Sequence, residues 1–282
     1  MSSNKLKLDL HRGADLKNPV RLVANWKMNL DVRESLEYCQ LLASKLDTVE
    51  QNLGLEIVLA PSSLALHPVY EYISRNNLAN RISLASQNFY SEDKGAYTGE
   101  TSIGALRGMV GYGIIGHSER RRIFGESQQL IARKVAAAVR HGITPVLCVG
   151  ETLKEKEDGH TKSVIIDQLS SGLAMLSDQE IAGLVIAYEP VWAIGSGKVA
   201  EPKDVEQVTS SIYDYLVAHY DRVAAESVEY LYGGSVDAGS VTQFVGKVCN
   251  GALIGGASNT PDGFFEIISR FNYSKPKPKP DF

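Results

Sequence analysis

Cysteine is scarce in this chain: three in 282 residues, Cys39, Cys148 and Cys249, widely spaced and set in apolar patterns. An odd number at such spacing argues against a disulfide framework or a metal cluster and points to a reducing compartment. Long hydrophobic runs are also missing. None approaches the roughly 20 residues that span a bilayer, so a soluble protein with no membrane partner is expected. Strong net charge is absent too: a value of −4 gives no electrostatic invitation to nucleic acid or to an acidic membrane, and any anion must be bound locally. Residues 1–18 lack the apolar core of a secretion signal, and Asp9, Asp15 and the want of a serine-rich tract count against a transit peptide. The expectation is a cytoplasmic protein with a plain N-terminal extension.

What is present is ordinary globular material, 44% hydrophobic and 22% charged, enough for one α/β barrel or two smaller domains. Short apolar runs fall at Val20 to Trp26, Leu55 to Ala60, Ile82 to Ser86, Tyr112 to Gly116, Ile143 to Val149, Leu184 to Tyr188, Ser227 to Tyr232 and Ala252 to Ile254. Between them lie helical periodicities such as Ile165, Leu169, Leu173 and Leu176. Strands alternating with helices pair in parallel, and eight such units have the size of a closed barrel. A doubly wound open sheet competes. Its glycine-rich dinucleotide fingerprint belongs after the first strand, where this chain has Asn25-Trp-Lys-Met-Asn29. The predicted organisation is an extension over 1–18, a barrel over 19–273 and a Lys/Pro-rich tail over 274–282.

In a parallel barrel the chemistry sits at the C-terminal ends of the strands. After the sixth run Pro190 stops the strand and holds Glu189 extended beside a loop of small residues and Trp192, which suggests a base with a lid over Pro190 to Lys198. The plain alternative is a solvated carboxylate in an ordinary strand-to-helix connection. At the first strand end, Asn25 and Lys27 are two residues apart and are expected to share one face, the lysine offering a positive charge. At the fourth, His117 precedes Ser118, a good N-cap for a helical turn whose positive end would keep the imidazole neutral; a structural histidine is the rival reading. Arg120, Arg121 and Arg122 beside Glu119 and Glu126 read as a salt-bridged rim. Glu151, after the fifth strand, is placed to hold Trp192 by a hydrogen bond. Glycine pairs follow the seventh and eighth strands, at Gly233-Gly234 and Gly255-Gly256, where bare N–H groups and a following helix start suit a phosphate. The third loop, Gln87 to Glu100, carries three aromatics with few ways to bury them and is expected to be a subunit contact.

Five of these stretches together, Asn25-Trp-Lys-Met-Asn29, Gly116-His-Ser-Glu-Arg-Arg121, Ala187 to Lys198, Tyr232-Gly-Gly-Ser-Val236 and Gly255-Gly-Ala-Ser258, closely resemble the triosephosphate isomerase family, in order and spacing, from about Val20 to Phe271. The resemblance implies a single (β/α)8 TIM barrel and a homodimer. It also implies an isomerase of glycolysis and gluconeogenesis that interconverts dihydroxyacetone phosphate and D-glyceraldehyde 3-phosphate through an enediolate, without metal or organic cofactor. By the same resemblance Glu189 is the base, His117 the neutral electrophile and Lys27 the positive charge, with Asn25 a further polar contact. The phosphate falls to amides of Gly195, Ser235, Gly255 and Gly256. Ser118, Glu119, Glu151 and Trp192 are supporting residues, Glu119 acting on Lys27. Two departures stand out: Ser196 where the family commonly has threonine, and Leu30 where a small residue is usual.

Overall fold

Each apolar run pairs with the next one along the chain. In the computed structural model, which describes residues 19–49, 54–194 and 200–271, eight strands form one sheet. They are β1 (Val20–Asn25), β2 (Leu55–Ala60), β3 (Ile82–Ser86), β4 (Tyr112–Ile115), β5 (Thr144–Val149), β6 (Val185–Tyr188), β7 (Glu229–Tyr232) and β8 (Gly251–Ile254). All pairings are parallel, and β1 bonds β8 in the register Arg21 to Gly251, which closes the barrel and removes the open-sheet alternative. The expected extension over 1–18 and the tail over 274–282 lie outside the described residues.

Among the described residues ten helices flank the strands: α1 (Val32–Leu46), α2 (Ser63–Arg75), α3 (Ile103–Leu106), α4 (Ser118–Arg122), α5 (Gln128–Arg140), α6 (Leu153–Glu157), α7 (Thr161–Leu173), α8 (Pro202–His219), α9 (Arg222–Glu226) and α10 (Pro261–Ser269). Their starts are written in the sequence. Asp31 caps α1 and Thr152 caps α6 in capping boxes with Glu34 and Glu155, and Pro202 and Pro261 occupy first turns, where a missing N–H costs nothing.

The strand alternation divides the core in two. Val23, Val58, Ala85, Ile114, Val146, Val185, Leu231 and Leu253 point inward and fill the barrel. Their neighbours, among them Leu22, Leu59, Leu84, Ile115, Leu147 and Ile186, point outward onto the apolar faces of the helices. Inside means the barrel is packed and offers chemistry only at its two ends. The N-terminal end is sealed by an ion cluster: Arg21 donates to Glu56 at 3.0 Å and also pairs with Glu229, while the Tyr112 hydroxyl donates to Glu56 at 2.6 Å. Burial, opposed by Arg21, holds the Glu229 carboxyl above its ordinary pKa. The C-terminal end carries the sequence-predicted site.

Candidate active site

Parity along the strands decides which strand-end residues face the mouth. Asn25 follows inward Val23, Glu189 follows inward Ala187, Gly233 follows inward Leu231 and Gly255 follows inward Leu253. On β4 the same rule sends His117 outward, because Ile115 already points that way. Gly116, at φ 68°, breaks the alternation with a conformation open to glycine at no steric cost, and His117 arrives beside Glu189.

Three expected side chains are thereby linked. Nε2 of His117 lies 2.9 Å from Oε1 of Glu189. Lys27 Nζ donates to Glu119 Oε1 at 2.6 Å, and Glu119 follows His117 by two residues at the start of α4. The Ser118 amide donates to Glu189 Oε2 at 2.8 Å, so both oxygens of the buried carboxylate are engaged. The structure moves the cap by one residue from the sequence expectation. His117, not Ser118, is the N-cap of α4, its Nδ1 accepting the Glu119 amide at 3.2 Å.

That contact fixes the tautomer. An acceptor at Nδ1 leaves the proton of a neutral ring on Nε2, facing Glu189. Burial, the largest influence, lowers the imidazole pKa, but Glu189 and Glu119 outweigh it and the net direction is upward. The helix start was expected to depress it; the carboxylate in contact reverses that. Protonating the ring at Nδ1 forfeits the Glu119 amide bond, so when the ring is neutral its proton is on Nε2. For Glu189, burial pushes the carboxyl up, while His117, the Ser118 amide and the Lys27 charge bring it below the usual carboxylate value.

Lys27 departs from its expected conformation. β1 ends at Asn25, and Lys27 sits beyond it in a turn at φ 52°, a left-handed conformation that costs a non-glycine residue ~1–3 kcal/mol. The turn is held from three sides. The Lys27 amide donates to Asn25 Oδ1 at 3.1 Å, Asn29 Nδ2 donates to the Trp26 carbonyl at 2.6 Å, and Gln87 Nε2 donates to the carbonyls of Lys27 and Ala60 at 2.9 and 2.8 Å. Gln87 was missed as a site residue because the sequence presents it only as the start of a long loop.

Two glycines were also underread. A Cβ at Gly233 would stand 2.8 Å from Glu189 Cγ, and one at Gly150 would collide with the Glu189 carbonyl oxygen. Both let neighbouring strand ends close on Glu189. The phosphate expectation fares unevenly. Gly255 and Gly256 lead into a 3₁₀ turn, Gly256–Ser258, and Gly255 lies near Lys27, where an added Cβ would be 3.5 Å from Lys27 Cε. Ser235 is exposed and its Oγ donates to the Ala193 carbonyl at 3.0 Å, but no helix starts directly after Gly233-Gly234; the next turn is Val241–Gln243. Gly195, and with it the later part of the expected lid, lies outside the described residues.

Around these, Trp192 Nε1 donates to Glu151 Oε1 at 2.8 Å and the Tyr188 hydroxyl to the same oxygen at 3.1 Å. The arginine rim needs correction. Arg120 meets Glu126 at 3.3 Å, but Glu119 serves Lys27, and Arg121 donates to the carbonyls of Gly116 (2.6 Å) and Cys148 (3.0 Å), tying the β4 and β5 ends together. In the third loop Phe89 is fully buried within this chain, against the space left by Gly113, so two aromatics rather than three remain near the surface: Tyr90 and Tyr97, in contact with ring centroids 4.4 Å apart.

A closed parallel barrel with a carboxylate, an imidazole and an ammonium gathered at its C-terminal mouth is the architecture of an enzyme that moves protons. Comparison with known proteins narrows this. Residues 20–271 match the family model described as triosephosphate isomerase. A triosephosphate isomerase of Endomicrobium trichonymphae is 41% identical over 90% of this chain and 98% of its own length. Those of Carboxydothermus hydrogenoformans and Pediococcus pentosaceus are 40% and 37% identical, over 88% and 90% of this chain and 96% and 99% of theirs. The chain belongs to the triosephosphate isomerase family.

Proposed function

We propose that this chain interconverts dihydroxyacetone phosphate and D-glyceraldehyde 3-phosphate, the isomerisation its family is named for. Glu189 takes the proton from the carbon beside the carbonyl and returns it to the neighbouring carbon. His117 donates its Nε2–H to the oxygen on which charge develops, and Lys27 adds a fixed positive charge, with Asn25 a polar contact. The observation that carries this reading is the single connected cluster of Lys27, Glu119, His117 and Glu189. As described, both oxygens of the carboxylate are occupied, so abstraction requires it to release the Ser118 amide and the His117 Nε2–H, which then turns to the substrate oxygen. The backbone N–H groups of Ser235, Gly255 and Gly256 are assigned to the phosphate, because glycine strand ends let an anion approach bare amides.

A homodimer is proposed on a separate observation. Met28, Leu64, Tyr97, Ile123 and Phe124 are exposed and follow β1, β2, β3 and β4, four neighbouring strand ends of one rim. A second copy covers such a band, the exposed arm of the Gln87–Glu100 loop included. Three buried free cysteines support a reducing, cytoplasmic location. No described helix is long and apolar enough to cross a membrane. A coupled assay with glyceraldehyde 3-phosphate tests the activity; sedimentation at micromolar concentration tests the dimer, which a monomer contradicts.

A further inference from the structure

Trp192 sits three residues beyond Glu189, in the 3₁₀ turn Val191–Ala193, and the segment leaving β5 grips it from two directions. Glu151, almost completely buried, accepts the indole N–H. Five residues later, on α6, Lys156 places its ammonium over the indole face, 3.7 Å from the ring centroid. An indole has a positive N–H edge and a negative face, so a carboxylate at the edge and a cation over the face are each on the favoured side. Lys156 also reaches Asp204 at 2.7 Å, in the first turn of α8. It therefore joins the turn after the base to the helix that follows it in sequence. The backbone runs in the same frame: the Glu189 amide donates to the Val149 carbonyl at 2.8 Å and the Val191 amide to the Glu151 carbonyl at 3.1 Å.

We propose that Lys156 is a positioning residue for Glu189, holding Trp192 on its face and Asp204 at its tip so that the chain leaving the base keeps one geometry. The proposal rests on the isomerase reading above. Lys156 touches no reacting atom; it acts through Trp192. Burial raises the Glu151 pKa; the Trp192 and Tyr188 hydrogen bonds and, after them, the Lys156 ammonium oppose that rise without cancelling it. Asp204 and Tyr232 are the further titratable groups acting on Tyr188 beside it. Lys156 thus favours the ionised form of the carboxylate that holds the indole edge.

The test compares Lys156→Met, which keeps the aliphatic stem, with Lys156→Arg, which keeps the charge. In the coupled assay the Met variant is expected to lose about fivefold to tenfold in kcat, the scale of one cation–π contact, with KM changed less than about twofold, while Arg restores kcat. Tryptophan emission titrated against pH, with Trp192→Phe as the blank, reads the Glu151 carboxyl directly. Its midpoint is expected to rise in the Met variant and to stay put in the Arg variant. Should Met fail to fold, Lys156→Gln carries the same comparison. An unchanged kcat and midpoint in the uncharged variant, or an Arg variant that behaves like Met, overturns the proposal. A wild-type protein without isomerase activity overturns the proposed function instead, and the emission titration still reads the clamp.

Discussion

At the scale of the residue, the proposed reaction depends on Glu189 being ionised, buried and one hydrogen bond from His117. Glu189→Asp pulls the carboxylate back by about 1 Å, and kcat is expected to fall on the order of a hundredfold with a much smaller change in KM. His117→Gln removes the Nε2–H donor and is expected to cost about 10²–10³ in kcat. The pair also leaves a signature in stability. Glu189 has its pKa lowered in the fold, so its contribution is present above the unfolded value of 4.5 and is lost as pH falls through the folded value. His117 has its pKa raised, so its contribution is present below 6.5 and is lost as pH rises through the folded value. Melting temperatures measured from pH 3 to 9 should therefore show Glu189→Gln flattening the acid limb and His117→Gln the alkaline one. The identities of these two residues were legible from their places at strand ends. Their direct contact was not, because it depends on Gly116 reversing the parity of β4, and a glycine alone does not declare its φ.

At the scale of the element, the site is made by strand ends crowding one another. Gly233 on the β7 side and Gly150 on the β5 side leave room for Glu189 on β6. Gly233→Ala puts a methyl group 2.8 Å from Glu189 Cγ, and is expected to lower kcat about a hundredfold by displacing the proposed base rather than by removing it. Circular dichroism with steady-state kinetics checks that the fold survives while turnover drops. Periodicity located all eight strands to within two residues, since inward and outward apolar positions alternate over a closed sheet. It misplaced Lys27, which the pattern put on the strand and the structure puts in a left-handed turn. That turn is held by Asn25, Asn29 and Gln87, and side chains bonding carbonyls from distant segments have no periodic signature.

At the scale of the whole molecule, the two ends of the barrel divide the work. The C-terminal end holds the strained, polar site, and the N-terminal end is closed by Arg21 between Glu56 and Glu229. Arg21→Met leaves two carboxylates in a largely buried cluster without their cation and is expected to cost about 3–5 kcal/mol in urea denaturation, with kcat unchanged in the protein that remains folded. Composition gave no hint of this cluster, because Arg21, Glu56 and Glu229 stand 35 and 173 residues apart in turn and only barrel closure unites them. The central claim is tested most directly by assaying the purified chain and its Glu189→Gln variant with glyceraldehyde 3-phosphate. Rapid formation of dihydroxyacetone phosphate by the first, reduced by about 10³ or more in the second, is the predicted result. Equal turnover by the two proteins, or none by the unaltered chain, contradicts it.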